Sequence, residues 1–406
     1  MRICSRVRQP DSLAFLRSIP TLSLTMRRIE RFVAGGAGAF LIIATACGSS
    51  ETDGTSIGAT GGSAGSGGGQ IDATPPDGAI ETIAWVDGVT VGTLAGSDVP
   101  GAADGVGAAA QFDNPVNVVI DPAGGLVVSD FENGALRRVT NDGLVATLTS
   151  QPGFTRPFGL VFTSSGALVA QTDRNTLAQG GDTTGALWNV DPATGAATAI
   201  NEAVRRPRGL VAIDRTTILT TDLMEHWVGS YTLPSSTPTV LAGVVGTPGF
   251  ADGSGPNARF RNPYGVARLP SGAVVLADSG NHAIRIVTLD GTVSTLAGNG
   301  TSGMADGTLA DARFSRPKDV AVDGSGKVWV SDAGNHRIRR IDLAAGKVET
   351  AAGDGVAGFA DGPGATVRFF GQEGIDVTSD GKTLYVADGN GGDAGPYHRI
   401  RVLHLP

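Results

Sequence analysis

From about residue 81 the chain alternates short apolar runs with turn residues, in an order that repeats. The stretch "NPYGVARLPSGAVVLADSGNHAIRIVTLDGTVSTLAG" is followed by "RPKDVAVDGSGKVWVSDAGNHRIRRIDLAAGKVETAAG", which keeps the same apolar positions. In the first copy "GVARL" and "AVVLAD" are short β-rich runs split by the turn "PSG". "AIRIVTL" then alternates, "DGT" turns, and "VSTLAG" closes the unit, so each unit predicts four strands. The second run is apolar on both faces, in "AVVLA", "KVWVS" and "TLYVA" alike. Such a sheet needs a neighbour on either side, and one copy is too short to bury a core alone. Face-to-face stacking of four-stranded sheets around an axis, the β-propeller, meets both requirements.

The repeat can be counted on two anchors. A Pro opens each unit and an Asp ends its second run. Pro115 and Asp130, Pro207 and Asp222, Pro263 and Asp278, and Pro317 and Asp332 are fifteen residues apart. Pro157 and Asp173 are sixteen apart, as are Gln372 and Asp388 in a last unit that lacks the Pro. Six units predict an all-β, six-bladed propeller of four-stranded antiparallel blades. The last unit stops at "HRIRVLHLP" without the closing phrase, which stands instead at the other end, as "VGTLAG" at residues 91–96. The N-terminal strand is expected to complete the last blade, beside residues 399–405.

The pattern P-x-G-V-A…G…V-x-V-A-D-x-x-N-H-x-I-R-x-V, sharpest in "ADSGNHAIRIV" and "SDAGNHRIRRI", resembles the NHL repeat. The resemblance covers about residues 81–406 and is strongest in units one, four, five and six. It implies the same six-bladed ring. The segments "GAADGVGAAAQF", "GFADGSGPNARF", "GMADGTLADARF" and "GFADGPGATVRF" resemble the longer linkers of bacterial NHL proteins.

Composition changes this picture little: 61 glycines and 5% aromatic residues suit many short strands. A formal charge of -8 argues against nucleic acid as a partner. The first 46 residues are set apart. From Met26, where translation is expected to begin, "MRRIERFVAGGAGAFLIIATAC" has the basic head and apolar run of an export signal. Its end resembles a bacterial lipobox, with Ala44, Thr45 and Ala46 before Cys47. Cys47 is therefore the expected lipidation site, and loss of Cys4 leaves no second thiol for a disulfide. Residues 47–80 are too polar and Gly/Ser-rich to fold, and read as a tether. The expected location is the bacterial cell envelope, outer membrane or cell surface, with the propeller at residues 81–406 held there by its anchor as a monomer.

Candidate chemistry is sparse. His282, His336 and His398 occupy equivalent positions in different blades, too far apart for one metal, and read as loop-packing residues. His226, beside Trp227 in an irregular unit, is less easily assigned. The strand-end aspartates read as loop acceptors. Channel positions two after each opening residue are Asn117, Gly159, Gly209, Gly265, Asp319 and Gly374. Some six-bladed relatives, by resemblance, are lyases or lactonases with a channel metal. Here only Asn117 and Asp319 could hold one, so no cofactor is expected and that activity is the alternative reading. The residue after each opening position varies instead: Val116, Phe158, Arg208, Tyr264, Lys318 and Glu373, flanked by Arg156, Arg206 and Arg316. With His226 and Trp227 these form a candidate recognition mouth for a protein, peptide or glycan.

Overall fold

The computed structural model describes residues 83–175, 185–233, 237–391 and 395–406. Cys47, the export signal and the tether lie outside the described residues. Six antiparallel sheets follow in chain order. Their innermost strands, Pro115–Ile120, Pro157–Phe162, Pro207–Ala212, Pro263–Arg268, Asp319–Val322 and Gly371–Val377, define blades 1 to 6. Each packs beside the next, and the sixth meets the first. All six repeats are blades of one closed ring.

Blades stack because both faces of each sheet are apolar. The second strands Leu126–Asp130, Val274–Asp278 and Val328–Asp332 are buried at every residue. Core clusters therefore lie between blades rather than within them. Leu219 and Val228 of blade 3 pack with Val266, Leu276 and Val287 of blade 4, for example. Phe112, Phe260, Phe314 and Phe369, from the ends of the four long linkers, are fully buried.

Blades 1, 4, 5 and 6 carry a fifth element that the repeat pattern did not predict. Two-residue strands from the linkers, Gly105–Val106, Gly253–Ser254, Gly307–Thr308 and Gly362–Pro363, pair with the outer strands of these four blades. Blades 2 and 3 have short linkers and stay at four strands.

Closure runs as the missing phrase predicts. Thr90–Ser97 pairs antiparallel with His398–His404, from Thr90 opposite His404 to Ser97 opposite His398. Just before it, Trp85 bridges Thr350 of blade 5, with the Val86 N–H 2.8 Å from the Thr350 carbonyl oxygen. Val86, Val89 and Val91 enter the core between blades 5 and 6. Deleting the chain through Ser97 should thus leave His398–His404 as a bare sheet edge. The expected result is aggregation and loss of a cooperative melt, read by size-exclusion chromatography and circular dichroism; a monomer melting like the intact protein would contradict ring closure.

Candidate functional site

Four strand-end aspartates are tied down by an arginine that the sequence reading overlooked. Asp130, Asp278, Asp332 and Asp388 lie 2.8, 2.6, 2.8 and 2.9 Å from the guanidiniums of Arg137, Arg285, Arg339 and Arg401 on the third strands. All four arginines are fully buried. The same guanidiniums reach the Asp of the linker "ADG": Arg137 to Asp104 at 2.7 Å, Arg285 to Asp252 and Arg401 to Asp361 at 2.6 Å, and Arg339 to Asp306. Each also lies 5.2 to 5.3 Å from the linker phenylalanine ring. One buried cation thus joins loop, strand and linker. The signal was a Leu-Arg or Ile-Arg step in the third strand, at Leu136–Arg137, Ile284–Arg285, Ile338–Arg339 and Ile400–Arg401, present in these four units only.

Blades 2 and 3 depart together. Pro157 pairs with Thr172 rather than Asp173, so the strand-end position of blade 2 is Thr172. That accounts for its sixteen-residue spacing. Trp188 takes the arginine's place, and its indole N–H donates to the Thr172 hydroxyl at 2.8 Å. In blade 3 the place is held by Gly229, and Asp222 accepts the N–H groups of Met224 and Glu225 at 3.0 and 2.9 Å.

The histidines are clasps between blades. Nδ1 of His226, His282 and His398 accepts the backbone N–H of Asn262, Arg316 and Asn114, each at 3.0 Å. His336 Nδ1 sits 3.1 Å from the Phe370 carbonyl oxygen. Asn262, Arg316 and Asn114 adopt φ of 49°, 47° and 54°, which turns their N–H groups into the preceding blade. His226, the ambiguous one in sequence, does the same work as the others. Trp227 is buried beside it in the third strand of blade 3.

The mouth residues do converge, and largely on one another. Tyr264 donates its hydroxyl to Glu373 at 3.1 Å, across the axis from blade 4 to blade 6, and Lys318 of blade 5 is ion-paired with the same carboxylate. Phe158 meets Tyr264 edge-on at 5.6 Å, and Arg208 stacks 4.0 Å over Phe158. Arg208 in turn grips Asp173 at 2.5 and 2.9 Å, joined by Arg206 at 2.8 Å. Burial alone would raise the Asp173 carboxyl; the Arg208 charge overcomes it and holds Asp173 well below the carboxylate range. Val116, Phe158, Arg208 and Glu373 are buried, while Tyr264 and Lys318 are half-buried. Arg156 stays on the exposed rim, 3.1 Å from Glu132 and 5.4 Å over Phe131. Arg316 is exposed as well. Because Arg208 neutralises a buried acid, Arg208→Ala is a folding variant more than a binding one.

Beneath this plug lies the channel, a cavity of about 310 Å³. Adjacent inner strands approach closely at the glycines: a Cβ on Gly209 would stand 2.6 Å from the Tyr264 carbonyl oxygen, and one on Gly374 2.6 Å from the Asn117 Cα. Asp319 fills the space that Gly265 leaves. Its two carboxyl oxygens accept the N–H groups of Val320 and Ile375, both at 2.9 Å. Asp376, missed in sequence because it lies two residues beyond the glycine column, accepts Val377 and Ile120, both at 2.8 Å. Each carboxylate therefore caps an N–H on the next blade's inner strand. Burial pushes Asp319 up to about 8, with the Asp376 and Glu373 charges adding to it, and pushes Asp376 up to about 6. Among the described residues no three His, Cys, Asp or Glu side chains gather around one point. Asn117 Oδ1 is itself taken by the Val118 N–H at 2.8 Å. These donors do not assemble the cage that a channel metal requires.

Residues 314–341 match the NHL repeat family. A stretch of 199 residues is 30% identical to human NHL repeat-containing protein 3, covering 47% of this chain and 52% of that protein. The chain is an NHL-repeat six-bladed propeller. A shorter stretch, 85 residues at 39% identity, matches human NHL repeat-containing protein 2 over 21% of this chain and 12% of that protein. The NHL propeller thus spans about half or less of the length of these relatives. The crystal structure of an auxiliary nutrient binding protein from Bacteroides ovatus superposes with a TM-score of 0.60 at 20% identity, over 78% of this chain and 76% of that one, and shares the fold.

Two expectations follow for the NHL propeller. Arg285→Ala strands two carboxylates, one of them fully buried, and should cost about 3–5 kcal/mol in urea unfolding; adding Asp278→Asn should recover part of it. Asp319 sets a pH dependence. Its folded carboxyl titrates near 8 against 3.8 for the free group, so the folded state keeps a proton that the unfolded chain releases. Stability from this group is full below about pH 4 and falls as pH rises toward 8, by up to about 1.4 kcal/mol per pH unit. Asp319→Asn should flatten the decline between neutrality and pH 8, and equal slopes in both proteins would refute the assignment.

Proposed function

We propose that this NHL propeller is a binding module, tethered outside the cytoplasm through Cys47, whose loop face receives a protein, peptide or glycan. The observation that carries the reading is the asymmetry of the two faces. One face consists of repeated tight turns, "PAG", "SSG", "PSG", "GSG" and "SDG". On the other, Phe158, Arg208, Tyr264, Lys318 and Glu373 from five blades differ in kind and meet over the axis. Around them the rim adds Arg156 over Phe131 and a stacked pair, Phe370 and Tyr397, with centroids 4.3 Å apart. Variable groups on a rigid scaffold are where recognition is built. The fold is shared with a protein described as nutrient-binding, which fits this reading. The alternative, a metal-dependent lyase or lactonase, draws on the family resemblance but lacks a donor cage in the channel.

Glycan and peptide arrays probed with the full chain test the reading. Arg156→Ala and Tyr397→Ala, both on the loop face, should lose most of the array signal while melting normally, since exposed pairs contribute little to stability. Lys327→Ala and Lys382→Ala, on the turn face, should keep it. Signal that depends on the turn-face lysines, or on neither set, would overturn the assignment.

A further inference from the structure

The channel beneath the plug has two unlike walls. On blades 2, 3 and 4 its side chains between plug and rim are Leu160, Val161, Leu210, Val211, Val266 and Ala267, all aliphatic. On blades 5, 6 and 1 it meets Asp319, Asp376 and Asn117, half-buried side chains that line the cavity. All three bear on one stretch of blade 6. Asn117 Oδ1 lies over Gly374, 2.6 Å from where a Cβ would stand. Asp319 holds the Ile375 N–H and Asp376 the Val377 N–H, two donors about 7 Å apart as alternate residues of one strand. The Asp376 charge accordingly acts on Asp319, and that of Glu373 with it. Among the described residues neither carboxyl is ion-paired. By contrast Asp130, Asp173, Asp278, Asp332, Asp388 and Glu373 each meet an arginine or a lysine. The cations at the two ends of the channel are engaged elsewhere: Lys318 with Glu373, Arg208 with Asp173, and Arg268, at the rim, with the Ile213 carbonyl oxygen at 2.7 Å.

At the loop end of the cavity Phe158, Arg208 and Glu373 are buried, whereas at the turn end Ile120, Phe162 and Val322 are half-buried and Arg268 is exposed. Entry is therefore from the turn face. A space of about 310 Å³ with an aliphatic wall and a few polar groups opposite has the make-up of a small-ligand pocket. We propose that the channel binds a primary amine with a short apolar body, its ammonium against Asp319 and Asp376 and its body against the aliphatic wall. The pocket lies beyond the plug from the loop-face site and does not depend on it. Each carboxyl oxygen accepts one backbone N–H and keeps a further lone pair, which another N–H donor can use. An ammonium brings three such donors, together with the charge that the two carboxyls lack. A bare metal ion is disfavoured, since it needs several ligands around one point and no three acids or imidazoles gather there among the described residues. An alcohol or a carboxylate on the same apolar body would leave both acids without a counter-charge.

The test is calorimetric titration of the full chain with hexylamine at about pH 9, where Asp319, which titrates near 8, is ionised and an alkylammonium keeps its proton. 1-Hexanol, hexanoate and calcium chloride are titrated alongside. Hexylamine should bind at one site, hexanol at least about tenfold more weakly, and hexanoate not at all. Asp376→Asn and Asp319→Asn should each weaken hexylamine about tenfold or more while leaving hexanol as it was, a split that a merely structural loss does not give. Arg156→Ala and Tyr397→Ala, on the loop face, should leave the amine binding intact. No binding of hexylamine, hexanol or hexanoate binding as tightly, affinity indifferent to both aspartate variants, or calcium binding more tightly than the amine would overturn the proposal. The loop-face reading is decided separately, by whether array signal depends on Arg156 and Tyr397.

Discussion

A sheet of four strands that is apolar on both faces has no stable existence alone, and the rest of this structure answers that constraint. Each interface between blades is a core, so removing any blade exposes two. The ring must therefore close, and closure is done with the first described strand, Thr90–Ser97, on the last blade. Near the axis the same packing brings inner strands too close for side chains, which is why glycine recurs there. Where Asn117 and Asp319 replace it, the polar group serves a backbone N–H, its own next one for Asn117 and a neighbouring blade's as well for Asp319.

Within that ring a second unit of construction is the buried guanidinium with its two aspartates. Strand-end Asp, third-strand Arg and linker Asp occur together in blades 1, 4, 5 and 6; blades 2 and 3 both lack the Arg and the linker Asp, and blade 3 keeps only the strand-end Asp, Asp222, which turns to its own loop instead. The linkage is physical: an arginine with no linker acid to meet would be under-compensated in the interior, so loss of the long linker and loss of the arginine accompany one another. In blade 2 the replacement of Arg by Trp188 leaves Asp173 outside the strand, free to gather Arg206 and Arg208. The irregular blades are thereby the ones that supply much of the mouth.

The fold was legible in sequence because it is written in apolar periodicity and in repetition, which need no knowledge of partners. Blade count, strand order and closing strand all follow from patterns that recur within one chain. Pairings between distant side chains were not legible. Arg137 and Asp104 are 33 residues apart, and nothing local announces that they touch. Asp173 was aligned with the strand ends by spacing alone, and only the pairing of Pro157 with Thr172 separates the two. Asp376 escaped because it lies two residues beyond the glycine column, where the other blades carry only apolar residues. The mouth residues were found by their variability, but sequence could not tell that most are spent on each other.

That distinction decides where recognition chemistry remains available. Asp319 and Asp376 commit both oxygens to backbone N–H groups of the ring and keep only their charge, which faces the channel. The histidines offer Nδ1 to the next blade, and the strand-end aspartates of four blades are neutralised by arginine. Even the plug of Phe158, Arg208, Tyr264, Lys318 and Glu373 is largely spent on its own contacts, with the Arg208 Nε left without a partner. Subtracting every group whose charge or hydrogen bond the fold already uses leaves the exposed rim and, inside it, the side-chain amide of Gln372, fully buried at the start of the inner strand of blade 6 with neither its oxygen nor its nitrogen hydrogen-bonded. Folding consumes most of the polar chemistry in this ring; what it leaves unconsumed lies on the face where the blades differ and along one wall of the channel.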